Sequence, residues 1–541
     1  MEFIIAATKE MVLARVAEYC PADLEFVKRA CEFADRVMAN KEPRGNGLPY
    51  STHYYSAAYM LLEHGHANGI DVAVLICHDT IEDGEIISVR GKRPVRENDI
   101  IQYLSNGGEY SLKAKRVAKG VEALTNFKRE EFAGDRIRTR AANFLKATEV
   151  FVKDLRVIPY RLYDRMHNML TLGDKPEKEK QLETALDTLM VLCPFGKSLG
   201  MYDLSIKMED IAFSFLMPEV YQKTKEILDH RIAETAEQMQ QLIKIYSSLL
   251  TSKKIPHVIE TDYLSVYALH KELEANGGYS NRVHNLRVIN PIILSSDIEM
   301  CFDAERIIKE SSIVCRGLGN DYISTPKDNF YQATHTVVHG RKTGAMYQVQ
   351  VCNRMMSEIN HFGLPAYMTL RANHPNRKNF DRILETKRRA IEDNLHSRRE
   401  SGESYDLSDH LNSEIFGDII TVYTPEGMPI VLPKGSVPHD FSYRLSERIG
   451  NHTCGALING TFINELDGFA TVLEEGDCVL IKYVASKLPK MQILLEARSH
   501  VKTAGACKKI GSLINVMTRP PKLSTNPRLI GTARINWHKK P

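Results

Sequence analysis

Within the stretch CHDTIEDGE at residues 77–85, positions 78–83 set one imidazole and three carboxylates, His78, Asp79, Glu82 and Asp83, just behind the apolar run Val72–Ile76. A chain tolerates such a cluster beside a core when the groups face water or when a cation sits among them. On a helix of 3.6 residues per turn the four side chains fall at about 0°, 100°, 40° and 140°, a single wall. Two other segments hold matching donors: PRGNGLPYSTHYY with His53, and LYDRMHNMLTL with Asp164 and Asn168. One His, a His-Asp pair and a distant Asp make a mixed nitrogen and oxygen set. Such a set suits a divalent ion such as Mn²⁺ better than the thiolate-rich sites zinc often takes. Glu82 and Asp83 then stand beside the ion without being needed as ligands, placed to orient and deprotonate an attacking water. The plain alternative is a solvated acidic helix end. A His-Asp pair alone is common, whereas the ordered set H…HDxxED…DRxHN is far more specific. His64 and His66, two residues apart, do not share a helix face and read as surface residues.

These residues need helices to hold them. Residues 1–200 read as mostly helical, with apolar positions at three- and four-residue spacing in segments such as 22–39 and 55–66. Residues 219–250 form one long amphipathic helix that reads as a connector. From about 255 to 370 the texture is mixed α/β, with strand-like HNLRVINPIIL, SSIVCRGL, THTVVHG and YQVQVC. A charged run at 371–412 predicts a helix and then a linker. Short strands and turns, among them Pro425-Glu426-Gly427, fill 418–484. The expected division is a helical domain at 1–200, a connector at 201–250, an α/β domain at 251–395, a β module at 415–484, and a helical stretch with a tail at 485–541.

At 541 residues the chain is too long for one core. With 43% hydrophobic and 26% charged residues and a formal charge of +3, it has an ordinary globular composition that points to no particular partner. Charge is uneven, however: residues 501–541 hold nine Lys or Arg and no Asp or Glu. No apolar run approaches the ~18 residues that span a membrane, and MEFIIAATKE lacks a basic leader, so no membrane contact and a cytoplasmic location are expected. The ten scattered cysteines, without any CxxC, predict reduced thiols rather than disulfides or a zinc ribbon.

RGNGLPYSTH, HDTIED and YDRMHNMLTL resemble the hydrolase domain of the RelA/SpoT homologue family, enzymes that make and break the alarmone (p)ppGpp; LGMYDLSIKMEDIAFSFLMPEVY extends the match. The resemblance implies an all-α HD-type domain with one Mn²⁺ held by His53, His78, Asp79 and Asp164. It implies that Glu82 and Asp83 activate water for attack on the 3′-pyrophosphate, that Arg44 stacks on guanine, and that Asn168 and Thr171 hold the nucleotide. The chain departs from the family pattern at Gly45 and Asn46, where Lys and Ser are usual, and at Leu170, where an Arg is usual.

NDYISTPKDNFYQATHTVV resembles the family's synthetase segment, which implies a mixed sheet flanked by helices and a nucleotide pocket lined by Asn329, Tyr331, Gln332 and His335. Pyrophosphate transfer from ATP needs carboxylates for Mg²⁺ and for the proton of the attacking hydroxyl. At those positions this chain has Asn285 and Gln348, and Asn290 and Cys352 replace two arginines. Amides carry no charge and cannot act as bases, so an inactive synthetase is expected. Residues 418–484 resemble a TGS domain, a small β-grasp module. In ribosome-associated relatives it touches tRNA through a Gly-His pair, which here reads Gly450-Asn451-His452. This module and the basic tail are the expected places of any ribosome or tRNA contact. The leading expectation is a Mn²⁺-dependent (p)ppGpp 3′-pyrophosphohydrolase without an organic cofactor. The alternatives are a bifunctional synthetase and hydrolase, a hydrolase of another nucleotide, and a regulatory protein that senses guanine nucleotide.

Overall fold

The computed structural model describes residues 3–64, 67–88, 91–125, 154, 156–275, 283, 286–327, 329–340, 345–385, 388, 419–425, 429–464, 471–484 and 490–518. It divides into two compact units, Met1–Ile419 and Ile420–Pro541.

The first unit opens as a helical domain. Four of its helices matter here: α1 (Leu24–Val37), α2 (Ser51–His64), α3 (Gly69–Cys77) and α4 (Val157–Leu170). Asn68 starts α3 through a capping box: its side chain accepts from the Ile70 and Asp71 amides, and Asp71 accepts from the Asn68 amide. Every residue of α3 except the half-buried Ile70 is buried, which explains its apolar run. The helix stops at Cys77. The Thr80 hydroxyl donates to the Cys77 carbonyl at 2.6 Å and His78 Nδ1 bonds the Leu75 carbonyl at 2.6 Å, so side chains satisfy the carbonyls that the next turn would have used. A one-turn helix, Thr80–Asp83, follows. The single continuous helix assumed for residues 78–83 is therefore two pieces jointed at His78-Asp79.

Helix α5 (Pro218–Ser252) runs for 35 residues. It does more than connect: Met239, Tyr246 and Leu250 enter the core of the α/β domain. That domain is built on β1 (His257–Tyr263), β2 (Arg287–Ile293), β3 (Ile313–Val314), β4 (Asn320–Asp321), β5 (Thr334–His339) and β6 (Met346–Asn353). The sheet order is β1-β2-β6-β5-β3, with β4 also on β5. Only β2 and β6 pair in parallel, so the sheet is mixed. Strand β1 was not foreseen. It is an edge strand, largely exposed, and lacks the apolar alternation that marks a half-buried strand.

Phe330 stands at φ +71°, a left-handed conformation that a bulky side chain adopts only when its surroundings impose it. Its ring stacks on Tyr367 at 5.3 Å and meets Phe380 at 5.1 Å edge-on. All three belong to the same apolar cluster as Phe26, Val74 and Tyr163 of the helical domain. The first unit thus shares one core across both domains.

The second unit holds β7 (Ile419–Tyr423) paired with β8 (Pro429–Pro433), and a three-stranded sheet of order β10-β9-β11 made of β9 (Thr453–Ile458), β10 (Thr461–Asn464) and β11 (Val479–Tyr483). A parallel bridge from Tyr423 to Cys478 joins the two. Buried Asp440 accepts from the Lys502 and Thr503 amides and the Thr503 hydroxyl, tying the module to the helices Met491–His500 and Ala504–Thr518. The basic tail beyond 518 lies outside the described residues.

Candidate metal centre

Helix α2 brings His53, the end of α3 brings His78 and Asp79, and α4 brings Asp164. Their ligand atoms converge. His53 Nε2 lies 3.2 Å from His78 Nε2, 3.2 Å from Asp164 Oδ1 and 3.5 Å from Asp79 Oδ2. His78 Nε2 lies 3.2 Å from Asp79 Oδ1 and 3.5 Å from Asp164 Oδ1. Donors bound to one ion at about 2.1 Å stand about 3.0–3.4 Å apart at octahedral to tetrahedral angles. The spacing of His53, His78 and Asp79 fits a divalent cation, and Asp164 lies beside them, within 3.5 Å of both imidazoles.

The electrostatics agree. Burial would push the His78 imidazole down, but the Asp79 and Asp164 carboxylates outweigh it and raise it to about 10. Burial would likewise raise Asp164, yet its bonds to His53 and His78 hold it well below the usual carboxylate range. The centre favours positive charge.

A hydrogen-bond relay that the sequence did not announce fixes His53. His167 Nε2 lies 2.9 Å from the Ile5 carbonyl, which can only accept, so this nitrogen carries the proton. Burial and the neighbouring His53 push His167 down to about 3, so the ring is neutral and its Nδ1 is a lone pair. His53 Nδ1, 2.9 Å away, must then donate, so in the neutral ring that a metal requires the Nε2 lone pair faces the other ligand candidates. Outer hydrogen bonds of this kind orient metal-binding histidines. His167 stands in plain view in the DRMHN run, three residues after Asp164, but its role depends on a carbonyl 162 residues away. Tyr50 was also missed: its hydroxyl donates to Asp79 Oδ2 at 2.8 Å and reaches Asp83 Oδ2 at 3.5 Å.

Asp83 sits beside the ligands, held by Lys41 at 2.8 Å and by Tyr50. Glu82 lies in the same one-turn helix, half-buried, within the electrostatic reach of Arg161. Arg44, Asn168 and Thr171 also come together. Asn168 Nδ2 donates to Asp164 Oδ1 at 2.8 Å, while Arg44 Nη2 donates to Asn168 Oδ1 at 3.2 Å and to the Thr171 hydroxyl at 3.0 Å. One continuous network runs from the ligand set to the Arg44 guanidinium.

The sheet domain gathers only part of its expected pocket. Tyr331, His335 and Gln348 meet, with Gln350 closing a ring. His335 is neutral, pushed down to about 4 by burial and by Lys327. Gln348 Nε2 donates to His335 Nδ1 at 3.0 Å, and His335 Nε2 donates to the Tyr331 hydroxyl at 2.8 Å. Tyr331 donates to Gln350 Oε1 at 2.9 Å, and Gln350 Nε2 donates to Gln348 Oε1 at 3.3 Å. Each group donates once and accepts once, so the ring is neutral and self-satisfied. Asn329 is turned away: its amide donates to the Tyr202 hydroxyl at 2.6 Å. Gln332 is fully buried, bonded to Asn376 and His374 rather than lining a pocket. Asn290, at a position where the resemblance expects an arginine, has its side-chain oxygen buried without a hydrogen-bond partner. Asn285 lies outside the described residues.

Comparison with known proteins gives the same order of domains. Residues 30–202 match the family model of the HD domain, 263–374 match the region found in RelA/SpoT proteins, and 420–483 match the TGS domain. Helical metal-site domain, mixed-sheet domain and β-grasp module therefore follow one another along one chain. This order of domains makes the chain similar to RelA/SpoT proteins. It is 27% identical, over 96% of its length, to a guanosine-3′,5′-bis(diphosphate) 3′-pyrophosphohydrolase of Aquifex aeolicus, and 26% identical, over 93%, to one of Spiroplasma citri. It is 26% identical, over 88%, to a GTP pyrophosphokinase of Brucella melitensis. The chain spans 69%, 65% and 60% of those three proteins. Among the described residues no helix is long and apolar enough to cross a membrane.

Proposed function

We propose that this chain hydrolyses guanosine-3′,5′-bis(diphosphate) to GDP and pyrophosphate with Mn²⁺ at the centre formed by His53, His78, Asp79 and Asp164. The observation that carries the reading is the convergence of Asp79 and Asp164 on the paired imidazoles of His53 and His78 at 3.2–3.5 Å, continuous through Asn168 with Arg44 and Thr171. The bound ion supplies Lewis-acid polarisation of the phosphoryl oxygens and of the water beside them. Asp83, fixed by Lys41 and Tyr50, and Glu82 accept the proton of the attacking water and return one to the ribose 3′-oxygen as its bond to phosphorus breaks. Asn168 and Thr171 hold Arg44 extended, so that its planar guanidinium is presented to the guanine already oriented.

The sheet domain, on this reading, does not synthesise the alarmone. Gln348 stands where a proton-accepting carboxylate is needed, and its amide is committed to the His335 ring. Purified protein, ppGpp and Mn²⁺, followed by nucleotide chromatography, test the hydrolase. GDP and pyrophosphate should form and should cease to form in excess EDTA; undiminished turnover in EDTA refutes the metal reading. An Asp79→Ala protein given labelled ATP, GDP and Mg²⁺ tests the second claim, and accumulating ppGpp overturns it. No proposal for tRNA or ribosome contact follows from Gly450 and His452, because the first is packed on the Tyr443 ring and the pair is interrupted by Asn451.

A further inference from the structure

The two oxygens of Asp79 stand in different surroundings. Oδ1 lies 3.2 Å from His78 Nε2, within the spacing of donors that share an ion. Oδ2 lies 3.5 Å from His53 Nε2, just beyond that spacing, and accepts from the Tyr50 hydroxyl at 2.8 Å. A phenol carries its proton at neutral pH and a carboxylate only accepts, so the direction of this bond is fixed. Tyr50 is itself held in place. It stands directly before α2, where the His53 amide donates to its carbonyl at 3.0 Å. One turn of chain thus supplies a ligand candidate and the hydroxyl that engages a second. The Tyr50 ring meets the His53 imidazole edge-on at 6.0 Å. It also lies 5.8 Å from the ammonium of Lys41, which pairs with Asp83 at 2.8 Å.

We propose that Tyr50 is a positioning residue that keeps Asp79 a one-oxygen ligand. The inference rests on the metal reading above and adds to it a count of coordination positions. Carboxylates ligate through one oxygen or through both. An octahedral ion, the geometry usual for Mn²⁺, offers six positions. When His53, His78, Asp79 and Asp164 each give one atom, two positions stay open, one for the attacking water and one for a phosphoryl oxygen of the substrate. When Asp79 closes on the ion with both oxygens, a single position is left and water and substrate compete for it. The Tyr50 hydroxyl draws Oδ2 aside without adding charge, so it sets the geometry of the ligand and leaves the attraction for the ion nearly unchanged. Hydrogen bonds to ligating carboxylates commonly serve this purpose.

Tyr50→Phe removes the hydroxyl and keeps the ring. Water-proton relaxation of the Mn²⁺-loaded protein counts the exchangeable waters on the ion, and chelator competition measures its affinity; neither needs turnover. The wild type should hold about two such waters and Tyr50→Phe about one, with the affinity for Mn²⁺ changed less than about threefold. Turnover of ppGpp should fall about 10- to 100-fold in kcat, while KM moves less than about threefold. Lys41→Met, which takes a partner from Asp83 and none from Asp79, should keep both waters. An unchanged water count in Tyr50→Phe overturns the inference. Loss of the ion from Tyr50→Phe also overturns it, by making the hydroxyl part of what builds the centre. Loss of a water from Lys41→Met overturns it by tracing the effect to the surrounding packing. This inference and the hydrolase reading fail separately. A wild type that loses one water on Tyr50→Phe, yet leaves ppGpp intact, supports the role of Tyr50 and refutes the hydrolase. A wild type that binds no Mn²⁺ overturns both.

Discussion

Replacing His167 by Phe tests the metal centre at a residue that never touches the ion. The substitution keeps an aromatic ring in a fully buried position, so packing changes little. It removes two bonds: the donation to the Ile5 carbonyl and the acceptance from His53 Nδ1. The Ile5 carbonyl keeps a partner, because it also accepts from the Ser56 hydroxyl at 3.0 Å. His53 is 2% exposed, so its Nδ1 finds no water in exchange. A buried donor without a partner costs about 1–3 kcal/mol. His53 avoids that cost by moving its proton to Nε2, which is the atom the ion needs, or by turning its ring. Either escape opposes the metal. Loss of an outer partner costs about 10- to 100-fold in metal affinity, or roughly 1.4–2.7 kcal/mol. The assay is a chelator-competition titration with Mn²⁺ on the wild type, His167→Phe and His167→Gln, whose amide can still accept from His53. Thermal melting with and without metal provides a second readout: the metal-induced rise in Tm should shrink in the Phe variant and recover in part in the Gln variant. If His167→Phe binds Mn²⁺ as tightly as the wild type, the relay is packing alone and the tautomer argument is wrong.

Three further outcomes are expected. Asp79→Ala should lose metal and hydrolysis together, whereas Glu82→Gln should keep the metal and lose about 10²–10⁴-fold in turnover; an empty centre in Glu82→Gln, seen by metal analysis, would make Glu82 a ligand. Gln348→Glu should not bring back synthesis, and it should destabilise the protein at pH 8 by about 1–3 kcal/mol, because an ionised carboxylate cannot donate to His335 Nδ1; equal urea midpoints for the two proteins refute the ring. Stability should fall as pH drops from about 6.5 towards 4: burial holds His335 and His374 down at about 4, so in that window the unfolded chain binds protons that the folded chain does not. Urea melts at pH 7.5 and 5 measure this, and a flat profile counts against neutral buried imidazoles.

How much could be read in advance depended on how local each feature is. The ligand candidates carry their chemistry in their side-chain types, and the helices that bear them carry it in their apolar spacing, so both stand out in a single chain. The break after Cys77 does not, because it turns on the Thr80 hydroxyl and the His78 ring reaching back to carbonyls that any helix would otherwise use. His167 escaped for the opposite reason: its partners, His53 and Ile5, are 114 and 162 residues away. In the sheet domain Asn329, Tyr331 and Gln332 were grouped by motif, but the left-handed turn at Phe330 sends them to different places. Tyr331 goes to the ring with His335, Gln332 into the core beside His374, and Asn329 to Tyr202.

That same turn bears on why a domain that, on the proposed reading, makes no product keeps its fold. Phe330, Tyr367 and Phe380 lie in the apolar cluster that also contains the core of the helical domain, and Asn329 bonds a residue on the helix Tyr202–Leu216. Gly200 and Gly363 meet backbone to backbone at the same seam, each at a positive φ, where a Cβ on either would collide with the other segment. Removing the sheet domain would therefore strip apolar cover from the helices that carry the metal ligands, at about 25 cal/mol for each Å² exposed. Drift at Gln348 or Asn290 carries no such consequence, because those residues face the domain's own pocket or strands. Pocket chemistry and seam packing are separable, and only the seam is tied to the helical domain. On the proposed reading the sheet domain can lack synthetase carboxylates and still be required, because the candidate metal centre is supported by a core to which both domains contribute.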